Sequence, residues 1–258
     1  MEATDVKISL VIIAFNEEDK LANCINSAKE VVDDILVVDS YSTDQTVLIA
    51  GSLGARVIQN TFEGHIEQKN FALQNAYYEH VLSLDADEAL SEQLRKNILK
   101  IKSGWQADAY KMNRLTSYCG KWIRHGTWYP DRKIRLFKKD AGSWKGSNPH
   151  DRFDVMEGKE ISFIKGDILH YTMDNISDHL KQMDYFTEIM ARDLHKAGKK
   201  SNYLKLIFSP MIKFVMAYFV RLGFLDGYYG LVIALNSAHA SFLKYAKLMD
   251  FNRRGIDK

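Results

Sequence analysis

Asp85-Ala86-Asp87-Glu88 sets two carboxylates one residue apart, directly after the apolar run Val81-Leu82-Ser83-Leu84. Carboxylates at that spacing can share a divalent cation. Their hard oxygens suit Mg2+ or Mn2+, which keep several waters and complete their shell with substrate phosphates. A diphosphate departing through such a cation has its growing negative charge stabilised. A second reading stays open, with Asp87 or Glu88 opening the helix that contains Leu94 and Ile98, where acidic groups complement the helix dipole. The pattern is too short to decide between the two by itself.

The segments before this cluster predict how it is positioned. Ile8 to Ala14 is nearly continuous, apolar and β-branched, as in a strand buried on both faces. Leu21, Cys24, Ile25 and Ala28 then recur at helical spacing, and Ile35 to Val38 reads as a second strand. Ser42, Thr43 and Asp44 offer cap oxygens to a helix over Val47, Leu48 and Ala50, closed by Gly51 and Gly54. Ala55 to Ile58 resumes a strand, a helix runs from about Ile66 to Tyr77, and Val81 to Leu84 is the fourth strand. This alternation predicts a parallel sheet with helices on both faces, and such sheets bind ligands beyond the carboxyl ends of their strands. Asn16-Glu17-Glu18, Asp39 to Asp44 and Asp85 to Glu88 all fall at those ends. From about Ala109 to Tyr171 the short pieces Ala109 to Met112, Ile134 to Phe137, Ile161 to Ile164 and Ile168 to Tyr171 predict a mixed or antiparallel extension. From Ser177 onward the pattern is helical.

Four pieces carry a resemblance: Ser9-Leu10-Val11-Ile12-Ile13-Ala14-Phe15-Asn16-Glu17-Glu18, Ile35-Leu36-Val37-Val38-Asp39-Ser40-Tyr41-Ser42-Thr43-Asp44, Gln68-Lys69-Asn70 and Leu82 to Glu88. In order and spacing they resemble the inverting family 2 glycosyltransferases of GT-A fold. More narrowly they resemble the group that adds glucose to the lipopolysaccharide inner core, the core β-1,4-glucosyltransferases. The resemblance covers essentially the whole chain and is strongest over residues 7–90. It implies an α/β, Rossmann-like GT-A domain over 1–176, with a mostly parallel sheet flanked by helices. That domain divides into a nucleotide-sugar half (1–108) and an acceptor half (109–176), and a helical C-terminal extension covers 177–258. The implied activity is metal-assisted transfer of a hexose, glucose, from a UDP-sugar to a lipopolysaccharide heptose, with inversion.

Carried over position by position, the resemblance puts Asp39 on the uracil or ribose and lines the nucleotide pocket with Ala14, Asn16 and Glu17. Asp44 reaches the nucleotide or caps a helix. Lys69 is a donor-side contact or a solvated helix lysine. Asp85 lies toward ribose or metal, Asp87 is the direct metal ligand, and Arg135 faces the diphosphate. His170 approaches the metal or diphosphate, or is a structural hydrogen-bonder. The family often has Gly where Tyr41 stands, so this side chain either narrows the pocket or points outward. Inverting transfer also needs a base for the acceptor hydroxyl, and a carboxylate within hydrogen-bond reach suffices. The matching piece is Asn148-Pro149-His150-Asp151, where the group usually reads His-Glu. Asp151 is the expected base and His150 orients it or touches the acceptor, the alternative being Asp151 capping or pairing with Arg152. The segment Gly120 to Asp131 mixes aromatic and basic groups that can stack on sugars and pair with phosphates. Arg124 is expected to face substrate, while Trp122 and Trp128 either do so or form an aromatic mini-core.

Composition narrows the alternatives. Lys and Arg total 35 against 33 Asp and Glu, a net charge of +2, which argues against a nucleic-acid binder. Cys24 and Cys119 form no metal-binding pair, which favours a reducing compartment. Ile8 to Ala14 is too short for a signal peptide, and no stretch of about 18 uncharged apolar residues is expected to span a membrane. Ser209-Pro210 reads as an N-cap with a first-turn proline and Gly223 as a stop. That helix of about 13 residues, roughly 20 Å long, carries Lys205, Ser209, Lys213, Ala217 and Arg221 as a stripe in steps of four. Such a helix fits the membrane interface, which places the chain peripherally at the cytoplasmic face of the inner membrane. Packing on the catalytic domain or a homodimer interface is the alternative. Two functional readings compete with the lipopolysaccharide one: the same chemistry on a capsule or exopolysaccharide lipid-linked acceptor, and a non-catalytic sugar-nucleotide binder. A dehydrogenase is disfavoured because no Gly-x-Gly-x-x-Gly follows the first strand.

Overall fold

The computed structural model describes residues 5–147 and 150–254, without the side chains of Ser147 and His150. The elements run β1 (Ile8–Ala14), α1 (Leu21–Ala28), β2 (Asp34–Asp39), α2 (Thr46–Ser52), β3 (Arg56–Gln59), α3 (His65–Asn75), β4 (His80–Asp85), β5 (Glu88–Leu90) and α4 (Glu92–Lys102). They continue with β6 (Ala109–Tyr118), β7 (Lys121–Trp122), β8 (Asp131–Lys138), β9 (Gly142–Ser147), β10 (His150–Val155) and β11 (Ile161–Met173). Three long helices follow: α5 (Ile176–Lys196), α6 (Tyr203–Val215) and α7 (Gly227–Arg254).

One sheet runs in the order β3-β2-β1-β4-β8-β6-β11-β5, with β7 on β6. β1 pairs in parallel with β2 and β4, and β2 with β3, as the βα alternation predicts. From β8 onward the pairing turns antiparallel. The period of two in the strands divides their side chains between two cores. Ile8, Leu10, Ile12 and Ala14 of β1 join Val37, Leu82 and Leu84 against α1 and α4. Val11, Leu36, Val38 and Val81 face the other way, with Ala72 and Leu73 of α3 and the hairpin residues Trp144 and Phe153. Burying each such Leu or Ile contributes about 1.5–3 kcal/mol.

The structure departs from the sequence expectations at several points. The hairpin β9–β10 has no apolar alternation and is absent from them. It docks through Phe153, stacked on Phe137 at 3.6 Å between ring centroids. Two expected pieces, Ile161 to Ile164 and Ile168 to Tyr171, are one strand, β11, which passes through Gly166. Helix α4 is capped by Ser91, whose hydroxyl accepts from Leu94 N at 3.3 Å. Asp87 and Glu88 therefore do not open that helix, and the helix-dipole reading of the acidic cluster falls away.

The chain divides into two compact units, one of residues up to Arg114 plus Asp131–His170, the other of Leu115–Pro130 plus residues from Tyr171. The loop after β6 thus belongs with the helices, not with an acceptor half ending at residue 176. Within the helical unit, Tyr118, Ile123, Met173 and Ile233 form a small core with Trp128 and Tyr229 packed on it. Trp128 takes the mini-core reading, and Trp122 meets Tyr171 edge-on at 5.2 Å.

Ser209 does not cap α6. Asn202 does, its side chain accepting from Lys205 N at 2.9 Å, and Pro210 lies inside the helix. A π-helical turn, Met216–Val220, extends it. The apolar helical run is therefore Tyr203–Val220, 18 residues with mean hydropathy 1.5, long and apolar enough to cross a membrane by length and composition. The expectation of a helix too short for that is corrected.

Gly166 (φ 123°) tests this architecture, because a Cβ there would lie 2.6 Å from Leu94 N. Gly166→Ala is expected to lower stability by about 1–3 kcal/mol, from a positive φ that alanine tolerates poorly and the clash with α4. A urea titration monitored by circular dichroism reads this as a lower midpoint at unchanged slope.

Candidate active site

The ends of β1 and β2 are tied together before any ligand arrives. Asn16 (φ 55°) donates its N–H to Ser42 Oγ at 2.9 Å and its Oδ1 accepts from Thr43 N at 2.9 Å. Glu17 N donates to Thr46 Oγ1 at 2.8 Å, and the Ala14 carbonyl accepts from Ser40 N at 2.9 Å. Asp44 spends one oxygen on Thr46 N, the first residue of α2, and the other on Glu18 N, so it ties the start of α2 to the segment after β1. Tyr41 has φ 62° and is 54% exposed. Its left-handed backbone is the conformation glycine adopts without cost.

Asp39 ends β2 fully buried. Its Oδ2 accepts from Ser42 N at 3.0 Å and Gln59 Nε2 at 3.4 Å. Its Oδ1 is buried with no hydrogen-bond partner among the described residues. A buried acceptor left unpaired costs about 1–3 kcal/mol, more when charged, and calls for an explanation.

The acidic cluster at the end of β4 is the hub of an ion-pair network. Asp85 Oδ1 lies 2.8 Å from Lys69 Nζ, and its Oδ2 lies 2.6 Å from Arg135 Nη2. Burial alone would raise the Asp85 carboxyl; Arg135 and Lys69 outweigh it and hold it well below the ordinary carboxylate range. Lys69 is 4% exposed, so it is not a solvated helix lysine. Its Nζ also lies 2.7 Å from Asp151 Oδ2 and 4.6 Å from the centroid of the Trp144 ring. Asp151 therefore pairs with Lys69 rather than with Arg152, which pairs with Asp154. The neighbours of Lys69 complete the contact: Gln68 Nε2 donates to Ser40 Oγ at 3.0 Å, and Asn70 exchanges two 3.0 Å bonds with the Trp144 backbone. The tripeptide Gln68-Lys69-Asn70 thus joins the end of β2, the end of β4 and the β9–β10 hairpin.

Asp87 stands apart from this network. Its Oδ2 lies 3.2 Å from His170 Nε2, brought there by β5 pairing with β11 so that His170 stands opposite Glu88. Glu17 is pushed above the ordinary carboxylate range, by burial first and then by the charge of Asp87. Among the described residues no three His, Cys, Asp or Glu side chains gather closely enough to hold a metal by themselves. The side chain of His150, and Asn148-Pro149, lie outside the described residues.

A family model for glycosyl transferase family 2 matches residues 9–158, a stretch that contains this network. The chain belongs to glycosyl transferase family 2. It is similar to an uncharacterized glycosyltransferase of Rickettsia typhi, at 35% identity over 95% of this chain and 88% of that one. It is also similar to the lipopolysaccharide core biosynthesis glycosyltransferase LpsC of Rhizobium meliloti, at 27% identity over 93% of this chain and 91% of that one. Among solved structures it is similar to glucosyl-3-phosphoglycerate synthase of Mycobacterium tuberculosis, a complex with Mn2+, UDP and glucosyl-3-phosphoglycerate. That match has 16% identity over 76% of this chain and 82% of that one, with TM-score 0.49. The chain is a family 2 glycosyltransferase with an α/β, GT-A-like fold.

Sequence reasoning left two members of this family 2 site without a role. Glu88 is fully buried; its Oε2 accepts from Asp85 N at 3.0 Å, and its Oε1 lies 3.0 Å from Arg135 Nη2 and 3.4 Å from Arg114 Nη1. It fixes the turn that aims Asp85 and Asp87. Trp144 presents its ring to both Lys69 and Arg135, and its signal was hidden in a hairpin with no strand pattern.

The depressed carboxyl gives a pH signature. A carboxylate whose folded pKa lies below its unfolded value of about 3.9 stabilises above that value and loses the contribution as pH falls toward the folded pKa. Asp85→Asn is therefore expected to unfold at lower urea than the parent chain at pH 7. The gap should narrow once pH drops below about 4. A gap that stays constant from pH 7 to pH 3 would show that Asp85 does not titrate in this way.

Proposed function

We propose that this family 2 glycosyltransferase moves a hexose, glucose in the first instance, from a UDP-sugar to an inner-core heptose of lipopolysaccharide, with inversion. The observation that carries the reading is the Lys69 bridge, which sets Asp151 beside Asp85 at the carboxyl end of the parallel strands. Donor and acceptor chemistry need that juxtaposition. The similarity to LpsC supports the lipopolysaccharide acceptor.

In this reading the unpartnered Oδ1 of Asp39 accepts an N–H from the uracil ring or a hydroxyl from the ribose. Asp151 uses only Oδ2 on Lys69 among the described residues, which leaves Oδ1 for the acceptor hydroxyl. The acceptor oxygen bonds to the anomeric carbon as the bond from that carbon to the diphosphate oxygen breaks. The hydroxyl proton passes to Asp151, and the electron pair leaves with the nucleoside diphosphate. Arg135, whose Nε and Nη1 are buried and unpartnered among the described residues, holds positive charge on the donor side.

Mg2+ or Mn2+ fits Asp87 and His170, a carboxylate and an imidazole that need substrate and water oxygens to complete a shell. Bound there, it would supply charge stabilisation to the leaving diphosphate. Both oxygens of Asp85 are engaged by cations, so Asp85 serves the network rather than the metal shell.

The helical unit supports a second part of the reading, attachment to the cytoplasmic face of a membrane. Leu204, Ile207, Phe208, Met211, Ile212 and Phe219 are each more than half exposed. Lys213 in the middle of the Tyr203–Val220 run disfavours a crossing, at about 2.5–3.5 kcal/mol for a lysine at the bilayer centre. A helix lying in the interface keeps its cations in the headgroup layer.

Two variants test the chemistry. Asp87→Asn is expected to cut transfer with Mg2+ or Mn2+ by about a hundredfold or more while the circular dichroism spectrum is unchanged. Asp151→Asn is expected to keep UDP-sugar binding by calorimetry and lose about 10²–10⁴ in turnover. Near-normal turnover in either variant removes that residue from its role. An assay of several UDP-sugars against truncated lipopolysaccharide and against capsule-type lipid-linked acceptors, with linkage analysis of the product, decides donor and acceptor.

A further inference from the structure

We propose that an open groove between α6 and α7 binds the phosphate of an anionic membrane lipid. This rests on the reading of the helical unit as a membrane-facing surface and adds a specific headgroup site to it. The groove has a volume of about 360 Å³. Its polar lining is Lys213 and Arg221 with the hydroxyls of Thr127, Ser209 and Ser241. Ser209, Ile212, Lys213 and Met216 recur at i, i+3, i+4 and i+7, so they share one face of the helix. Arg221 is fixed at the helix end by its backbone, its N–H donating to the Met216 carbonyl at 2.8 Å and its own carbonyl accepting from Gly126 N at 2.8 Å.

Three observations point to an anion carried by an amphiphile. First, neither Lys213 nor Arg221 has a carboxylate partner among the described residues, so two cations face one groove unneutralised. Second, Asp226 is the sole acidic side chain in the sequence between Leu194 and Met249. It is 4% exposed and spent within the fold, its carboxylate accepting from Arg124 N, His125 N and His125 Nδ1. Lys196, Lys199, Lys200 and Lys205 precede the groove in the same stretch, which is therefore strongly basic in sequence. Third, Ile212 at 61% and Met216 at 40% exposure line the groove and continue into the exposed apolar face of α6. A soluble anion would use the cations and hydroxyls and leave that apolar face in water. A phospholipid uses both, its phosphate between Lys213 and Arg221 and its acyl chains along Ile212, Met216 and their neighbours.

The test is sedimentation of the full chain with vesicles of phosphatidylcholine alone and of phosphatidylcholine mixed with phosphatidylglycerol. The parent chain is expected to prefer the anionic vesicles. Lys213→Ala with Arg221→Ala should weaken that binding by roughly tenfold or more and remove most of the preference. Lys199→Ala with Lys200→Ala removes the same charge from exposed positions off the groove and should weaken binding less. Lys213→Ala alone should lower the preference, whereas Lys213→Arg should keep it. Equal losses in the two double variants would mean diffuse attraction and overturn the groove. Equal binding of the parent chain to both vesicle types would do the same while leaving apolar attachment intact. Displacement of the chain from vesicles by millimolar inorganic phosphate would make this a free-phosphate site and overturn the lipid assignment. No binding to either vesicle would sink the membrane reading itself.

Discussion

The candidate site of this molecule depends on one carboxylate held between two cations. Asp85 ends β4 with Lys69 of α3 on one oxygen and Arg135 of β8 on the other. These elements come from the parallel half of the sheet, the helix over it and its antiparallel extension, and no sequence-local contact holds them in register. Removing either cation leaves a mostly buried carboxylate partly unpaired, which typically costs about 3–5 kcal/mol. Buried pairs add little net stability over an apolar replacement, so the value of this one lies in specificity. It fixes where β8 and the β9–β10 hairpin lie relative to β4, and therefore where Asp151 lies. Trp144 reinforces the same choice, since its ring faces both cations and its backbone is clamped by Asn70.

The parallel half of the fold was legible because its physics is local. A strand buried on both faces reads as a continuous apolar run, and Ile8 to Ala14 could be little else. The carboxyl-end rule then placed Asn16, Asp39 and Asp85 at one edge without any long-range information. The hairpin was not legible for the opposite reason. Gly142 to Ser147 carries Trp144 as its one large apolar side chain, and its strand state follows from docking on α3 and Phe137, not from its own pattern. The role of Glu88 was hidden in the same way: an acidic residue in an acidic cluster reads as a surface group, yet it is the most buried of them because two arginines from β6 and β8 reach it.

The helical unit shows how a local signal can mislead. Ser209-Pro210 is a good N-terminal dipeptide, and a cap reading of it is sound chemistry. It lost to Asn202, which caps without competition seven residues earlier, while the proline sacrifices a single backbone bond inside the helix. The consequence is a longer apolar run and a changed membrane argument. With about 13 residues, length alone excluded a crossing. With 18, the feature that bears on the proposed attachment becomes Lys213 in mid-run rather than the helix length.

The charges near Asp85 also bear on how a diphosphate could bind. Lys69, Arg114, Lys133 and Arg135 are matched by Asp85, Glu88, Asp131 and Asp151 in direct ion pairs. The fixed cations are therefore largely committed before a donor arrives. Asp87 and Glu17 remain as acidic groups, and burial first and then the charge of Asp87 raise the Glu17 carboxyl. A nucleoside diphosphate approaching that edge meets carboxylates first, and in a partly buried site such repulsion is screened weakly. Under the proposed function, the donor must bring compensating positive charge with it. A divalent cation shared between the diphosphate and Asp87 does this, and binding of metal and donor should then be mutually dependent: each lowers the electrostatic cost of the other. Asp39 escapes this logic. Under the same proposal its orphaned oxygen would meet a neutral group of the donor, so base or ribose recognition there is expected without metal while the diphosphate end is not. In that proposal recognition of the nucleoside and activation of its leaving group are separated along one sheet edge, and Gln68 and Lys69 of a single helix reach Ser40 at one end and Asp85 at the other.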